Sequence, residues 1–141
     1  RPRPPPPFPP GPLPSALAAA RIRYWPLPAL GGRRTPLADS PNRAWRVAAF
    51  RAYADHLASD EYVAARDELM AVAAVERTCV MCAEALWWQC HRRLIADDFV
   101  ARGWQVVHLM GRGHSAAHDL NEDAVMGDDV LRYPGAQPTL L

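Results

Sequence analysis

The side chains best suited to chemistry fall in two short clusters, Cys82-Ala83-Glu84 and Cys90-His91-Arg92. The apolar residues Leu94, Ile95 and Phe99 recur at helical spacing just after the second cluster, so Cys90 is expected in the first turn of a helix. A thiol there faces unpaired backbone N–H groups and the positive end of the helix dipole, which lowers its pKa and favours the thiolate. Cys90 is therefore a candidate nucleophile or a member of an anion site. The alternative is a buried thiol acting as a small hydrophobe. Glu84 is suited to general acid–base work, or to accepting helix-terminal N–H groups or pairing with Arg92. Adjacent helical residues cannot both aim squarely at one site, so Arg92 is assigned to it and Arg93 to solvent.

Accessory residues lie near by in the sequence. Cys79-Val-Met-Cys82 has C-x-x-C spacing, but in a strand those side chains face opposite ways with Cα atoms about 10 Å apart, which argues against a redox pair. Cys82, Cys90 and His91 together with His108, His114 or His118 make a conceivable metal set, yet the spacing matches no structural zinc pattern. No metal and no cofactor are assigned. Trp87-Trp88 either walls a pocket, where base stacking is open to it, or plugs the core beneath a loop. Gly31-Gly32-Arg33-Arg34 either wraps an anion or forms a solvated turn.

These residues need elements to hold them. Thr78–Cys82 is a short apolar run between helices, read as a strand covered on both faces near the middle of a parallel sheet, with its carboxyl end delivering Cys82 and Glu84 to a ligand crevice. Helices are expected from Arg43 to Ala58, from a Ser59 N-cap onward, and from about Cys90 to Arg102 with Gly103 closing the last. Ser15 is expected to cap a short helix through Arg21, with strands at Ile22–Trp25 and Trp104–Leu109. Leu30–Asn42 reads as a long connection, and at most a short helix is expected near Asn121–Val125. The organisation that follows is a proline-rich extended arm over 1–14, one α/β domain over 15–126 and a flexible tail over 127–141. Its fold class is a three-layer α/β domain with a small, mostly parallel sheet flanked by helices.

Composition narrows the setting. The chain has 141 residues and a formal charge of +1, from 16 basic and 15 acidic residues, so no large field of either sign selects a nucleic acid or an anionic membrane. Every basic residue is arginine, read as the coding bias of a GC-rich bacterial genome. With three cysteines and no signal peptide, reduced thiols in the cytoplasm are expected. The longest apolar stretches fall short of the roughly 20 residues that span a bilayer.

Taken together, LPALGGRR at Leu27–Arg34, SPNRAWRVAAFRAYADHL at Ser40–Leu57, MCAEALWWQCHRRLIADDFVARG at Met81–Gly103 and VVHL at Val106–Leu109 resemble the domain of unknown function 488 family, from about Phe8 to Val125. The most specific element is Cys82-x-Glu84 followed by Cys90-His91-Arg92 between strand and helix. The resemblance implies a compact α/β fold and a shared pocket of Cys82, Glu84, Cys90, His91 and Arg92, and it supplies no reaction. Gly31, Gly32 and Arg33 match the family's glycine-rich segment, and His118 matches a downstream histidine. The family's opening strand, helix and second strand ending in Asp-x-Arg find no match here, a departure expected to leave sheet edges uncovered.

The leading expectation is a small cytoplasmic enzyme acting on a phosphorylated or nucleotide-like ligand. Arg92 and Arg33 would hold the anion while Cys90 or Glu84 does the chemistry. The competing expectations are a non-catalytic module that binds nucleic acid or a protein through Trp87, Trp88 and the arginines, and a metal-binding protein.

Overall fold

Proline is tolerated in a first helical turn because its missing N–H would be unpaired there, and Pro12 and Pro14 open α1 (Pro12–Ala19). The helix thus begins ahead of Ser15, the residue expected to cap it. The coordinates are a computed structural model that describes residues 12–135. The expected arm up to residue 11, and the part of the expected tail from residue 136, lie outside the described residues.

Three further helices form the body: α2 (Ala48–His56), α3 (Asp60–Ala73) and α4 (Arg92–Ala101). α3 starts as expected, with the Ser59 hydroxyl accepting from the Tyr62 N–H at 3.1 Å and Asp60 and Glu61 in the first turn. α4 ends as expected at Gly103, whose φ of 92° is the left-handed conformation that glycine adopts without strain. α2 is shorter than the expected helix from Arg43. The N–H of Ala44 donates to the carbonyl of Tyr133 at 3.0 Å, which ties that turn to the far end of the chain and takes it out of the helix.

The core lies where the three helices meet. Tyr53 and Leu57 of α2 and its end pack with Tyr62, Ala65 and Leu69 of α3, Leu94, Ile95 and Phe99 of α4, and Leu131 and Tyr133. Each such large apolar side chain removed from water contributes roughly 1.5–3 kcal/mol. The Asp98 carboxylate is buried among them. Asp98 accepts from the Tyr62 hydroxyl at 2.7 Å and from Arg102 Nε at 2.9 Å, with Arg66 Nη1 at 3.6 Å, so its charge is fully partnered.

The expected three-layer domain with a mostly parallel sheet is overturned. The described strands form two separate antiparallel hairpins, β1 (Val107–Leu109) with β2 (Ser115–Ala117) and β3 (Val125–Gly127) with β4 (Val130–Arg132). The second replaces the helix expected near Asn121–Val125. Its turn carries positive φ at both Asp128 (52°) and Asp129 (62°), the conformation of a two-residue hairpin loop whose twist matches its strands. Residues 78–82, the expected central strand, run without a ladder partner and leave Val80 and Met81 exposed. A strand exists only where a neighbouring strand exchanges backbone hydrogen bonds with it, and this stretch makes none with another described segment. Ile22–Trp25 likewise runs without a ladder partner. Trp104–Leu109 supplies a strand only over its last three residues, and the chain then turns straight back.

Candidate functional site

The site is built on the amino end of α4. A single helical turn at Trp87–Gln89 brings the chain in, the Cys90 N–H donates to the Trp87 carbonyl at 3.3 Å, and the Cys90 carbonyl accepts from Arg93 at 3.1 Å. Cys90 is thereby fixed just ahead of the helix, and the residue is 2% exposed. The connection over residues 83–86 then loops back so that Cys82 Sγ lies 3.6 Å from Cys90 Sγ, and Cys82 keeps partial access to solvent.

Donors surround this sulfur pair. Arg92 gives Cys90 Sγ both its Nε–H, at 3.1 Å, and its backbone N–H, at 3.4 Å. The Glu84 N–H reaches Cys82 Sγ at 3.3 Å, and Arg92 Nη2 donates to the Glu84 carbonyl. Hydrogen bonding to Cys90 is the main cause that lowers Cys82 to about 6, aided by the Glu84 backbone and the charge of Arg92 against the opposing effect of burial. Cys90 is pushed above its ordinary value, because the hydrogen bond to Cys82 and burial both penalise a second negative charge. Near neutral pH the two sulfurs therefore hold one proton between them.

His91 follows, its ring packed 5.1 Å from that of Tyr53. Burial, then the charges of Arg92 and Arg34, lower it to about 4, so it is a neutral imidazole in a positive surrounding. The glycine segment reaches this point as well. A Cβ on Gly32 would collide with Nδ1 and Cγ of His91, so the backbone approaches only because residue 32 has no side chain. Gly31 is held differently: its carbonyl accepts from Arg34 Nε at 3.2 Å. Arg34 also donates to the carbonyls of Pro28 and Ala29 and pairs with Glu61 at 3.4 Å, whereas Arg33 is exposed and bonds to no described residue.

Cys82, Cys90, His91, Arg92 and Gly32 thus come together. Glu84 joins them through its backbone, and its exposed carboxylate bonds to no described residue. Arg93 leaves the solvent position expected for it and lies over the Trp45 ring at 5.0 Å. It borders a recess of about 470 Å³ that also includes Leu120, Asn121 and Glu122 and none of the sulfur residues.

His118 sits elsewhere, in a buried chain along α4. His118 Nε2 meets Asp97 Oδ1 at 2.7 Å, His108 Nε2 meets His118 Nδ1 at 2.7 Å, and the Tyr133 hydroxyl donates to Asp97 Oδ2 at 2.7 Å. Trp87 stacks flat on His108, with ring centres 3.9 Å apart and 3° between planes, so it plugs this cluster while Trp88 stays exposed. Burial, then His118 and Arg92, lower His108 to about 4. Sequence reading missed Asp97 and Tyr133. The available signal was the pair Asp97-Asp98 inside the otherwise apolar stripe of α4, since carboxylates on a buried face must have partners.

The ligating atoms of Cys82, Cys90 and His91 lie within 4.8 Å of one another, a soft donor set of the kind that takes zinc or copper(I). Arg92 donates into the same sulfur, and its charge and that of Arg34 already bear on His91. A cation held there would sit against the positive charges of Arg92 and Arg34.

Fold and site together define a small helical domain with a dithiol–arginine centre at a helix amino end. The family model described as Domain of unknown function DUF488 matches residues 2–99, more than half of the chain, and the chain belongs to that family. The matched span holds the glycine segment and both cysteine clusters, while His108 and His118 lie beyond it. No curated protein and no solved structure matches the chain. Among the described residues, no helix is long and apolar enough to cross a membrane.

Proposed function

We propose that Cys82, Cys90 and Arg92 form a thiol centre that acts on a small phosphorylated or nucleotide-like anion. The observation that carries this reading is the sulfur pair at 3.6 Å with the Arg92 guanidinium 3.1 Å from one member. A pair that keeps one proton presents a nucleophile near neutral pH, and the partly exposed Cys82, not the enclosed Cys90, meets an incoming ligand. Arg92, Arg33 and the positive surrounding of His91 supply the anion-binding field. The free carboxylate of Glu84 is the nearby proton carrier. The reading as a nucleic-acid module has less support, because Trp87 is committed to His108 and leaves Trp88 as the exposed aromatic of the pair.

Alkylation of each cysteine by iodoacetamide, followed by mass spectrometry, tests the proposal. At pH 6 about half of Cys82 is thiolate, against roughly 0.3% of an ordinary thiol, and its lower intrinsic nucleophilicity takes back about a factor of ten. Cys82 is expected to label about tenfold faster than Cys79 at that pH, and inorganic phosphate or adenosine monophosphate is expected to slow it. Equal labelling of Cys79 and Cys82, unaffected by either anion, overturns the proposal.

A further inference from the structure

We infer that Cys82 and Cys90 reduce a hydroperoxide by closing an intramolecular disulfide. The inference rests on the reading of Cys82 as the attacking thiolate and adds a substrate class and a resolving residue to it.

Geometry carries the argument. A disulfide bond is about 2.05 Å long, so the sulfurs need approach by only about 1.6 Å from their 3.6 Å separation. The connection over residues 83–86 belongs to no helix or strand and follows a run without a ladder partner, whereas Cys90 is tied to the start of α4 through its carbonyl, which accepts from the Arg93 N–H. The two thiols also differ in access. Cys82 is partly exposed and Cys90 is enclosed, which separates a residue that meets the oxidant from one that waits for it. Cys79, exposed three positions earlier, has its Sγ on the Val80 carbonyl at 3.6 Å and stands apart from the pair.

The chemistry balances in two steps. The Cys82 thiolate attacks the terminal oxygen of the hydroperoxide, an S–O bond forms, the O–O bond breaks, and the leaving alkoxide takes a proton from water to become an alcohol. Cys82 is then a sulfenic acid. Cys90 sulfur attacks Cys82 sulfur, the S–S bond forms, the S–O bond breaks, and the departing hydroxide leaves as water with the Cys90 proton. Two electrons pass from the sulfurs to the peroxide oxygens. An external dithiol restores the reduced pair. In the first state, Arg92 and the Glu84 N–H donate to the two sulfurs and hold the charge that the attack consumes.

The experiment treats the reduced full chain with one equivalent of hydrogen peroxide at pH 7, counts thiols and maps the linked peptides. The expected result is loss of two thiols per chain, a single Cys82–Cys90 link, one peroxide consumed per link and full reversal by dithiothreitol. Cys79→Ser is expected to behave identically. Cys90→Ser is expected to accumulate a Cys82 sulfenic acid that dimedone traps; if that variant does not fold, the peptide map of Cys79→Ser decides. Both thiols surviving, a link through Cys79, or Cys82 passing on to sulfinic acid with Cys90 still reduced each overturns the inference. Fast alkylation with phosphate protection but no disulfide rejects the redox step and leaves the anion centre standing. A disulfide without anion protection rejects the anion centre and keeps the redox pair.

Discussion

α4 carries two polar clusters of opposite character. At its amino end the sulfur pair is half-open, its two thiols shifted in opposite directions, and it is surrounded by N–H donors. Along its inner face Asp97, His118, His108 and Tyr133 are buried, and Asp97 also accepts the Asn121 N–H at 3.1 Å. With the Asp97 carboxylate accepting from His118 Nε2, His118 Nδ1 is left to accept from His108 Nε2, so each link pairs one donor with one acceptor. The contrast separates two uses of buried polarity. A closed chain with each donor matched to an acceptor fixes the packing of β1, β2 and the last described residues on α4. An open pair with a proton to spare is available for reaction. The charge of Arg92 bears on His91 and His108 as well as on the sulfurs, so the two clusters share one electrostatic surrounding.

Breaking the closed chain is expected to have the largest effect. Asp97→Ala strands the donors of His118, Tyr133 and Asn121 in the interior and is expected to cost about 3–5 kcal/mol, read from the urea midpoint at pH 7. The thiol chemistry of any folded fraction should be little changed. Gly32→Ala acts on the other cluster. The new methyl must push His91 aside, with an expected loss of about 1–3 kcal/mol and a change in the Cys82 labelling rate, since His91 is joined directly to Cys90 and Arg92. An unchanged rate would show that the glycine approach is irrelevant to the sulfurs.

Acid is expected to weaken both clusters. His91 and His108 are lowered to about 4 in the folded chain, while in the unfolded chain they titrate near 6.5. The unfolded state thus binds protons first as pH falls, so their contribution is complete above about 6.5, declines between 6.5 and 4 and levels off below. Urea midpoints at pH 7 and pH 5 check the sign. His91→Gln is expected to flatten part of the slope. Smallest in stability, and confined to the open pair, is Arg92→Gln. Removing the cation is expected to move the Cys82 inflection upward from about 6 toward the ordinary thiol range, followed by the pH dependence of alkylation.

The open cluster was legible because its parts are close in sequence and obey helix-terminus rules. Ser59 caps α3 and Gly103 closes α4 as their positions implied, whereas Cys90 stands in extended backbone just ahead of the α4 N-cap His91 and not in the first turn expected for it. Even there the roles differ from expectation: Cys90 is enclosed, Cys82 is the accessible thiol, and Arg34 rather than Arg33 organises the glycine segment. The closed cluster was not legible, because Asp97 meets residues 108, 118 and 133 only through tertiary packing. His118 was singled out by resemblance, yet nothing local joined it to Asp97. The parallel sheet failed for a related reason. An apolar run such as Thr78–Cys82 states a preference for burial but does not say whether a neighbouring strand exists to bond it.

The central claim is one proton shared by two sulfurs, and the ultraviolet absorbance of thiolate in Cys79→Ser, followed from pH 4 to pH 10, tests it directly. The expected titration is one thiolate per chain appearing with a midpoint near 6, and no second thiolate within the ordinary cysteine range. Two equivalent thiolates rising together near 8.5, the unperturbed cysteine value, would contradict it.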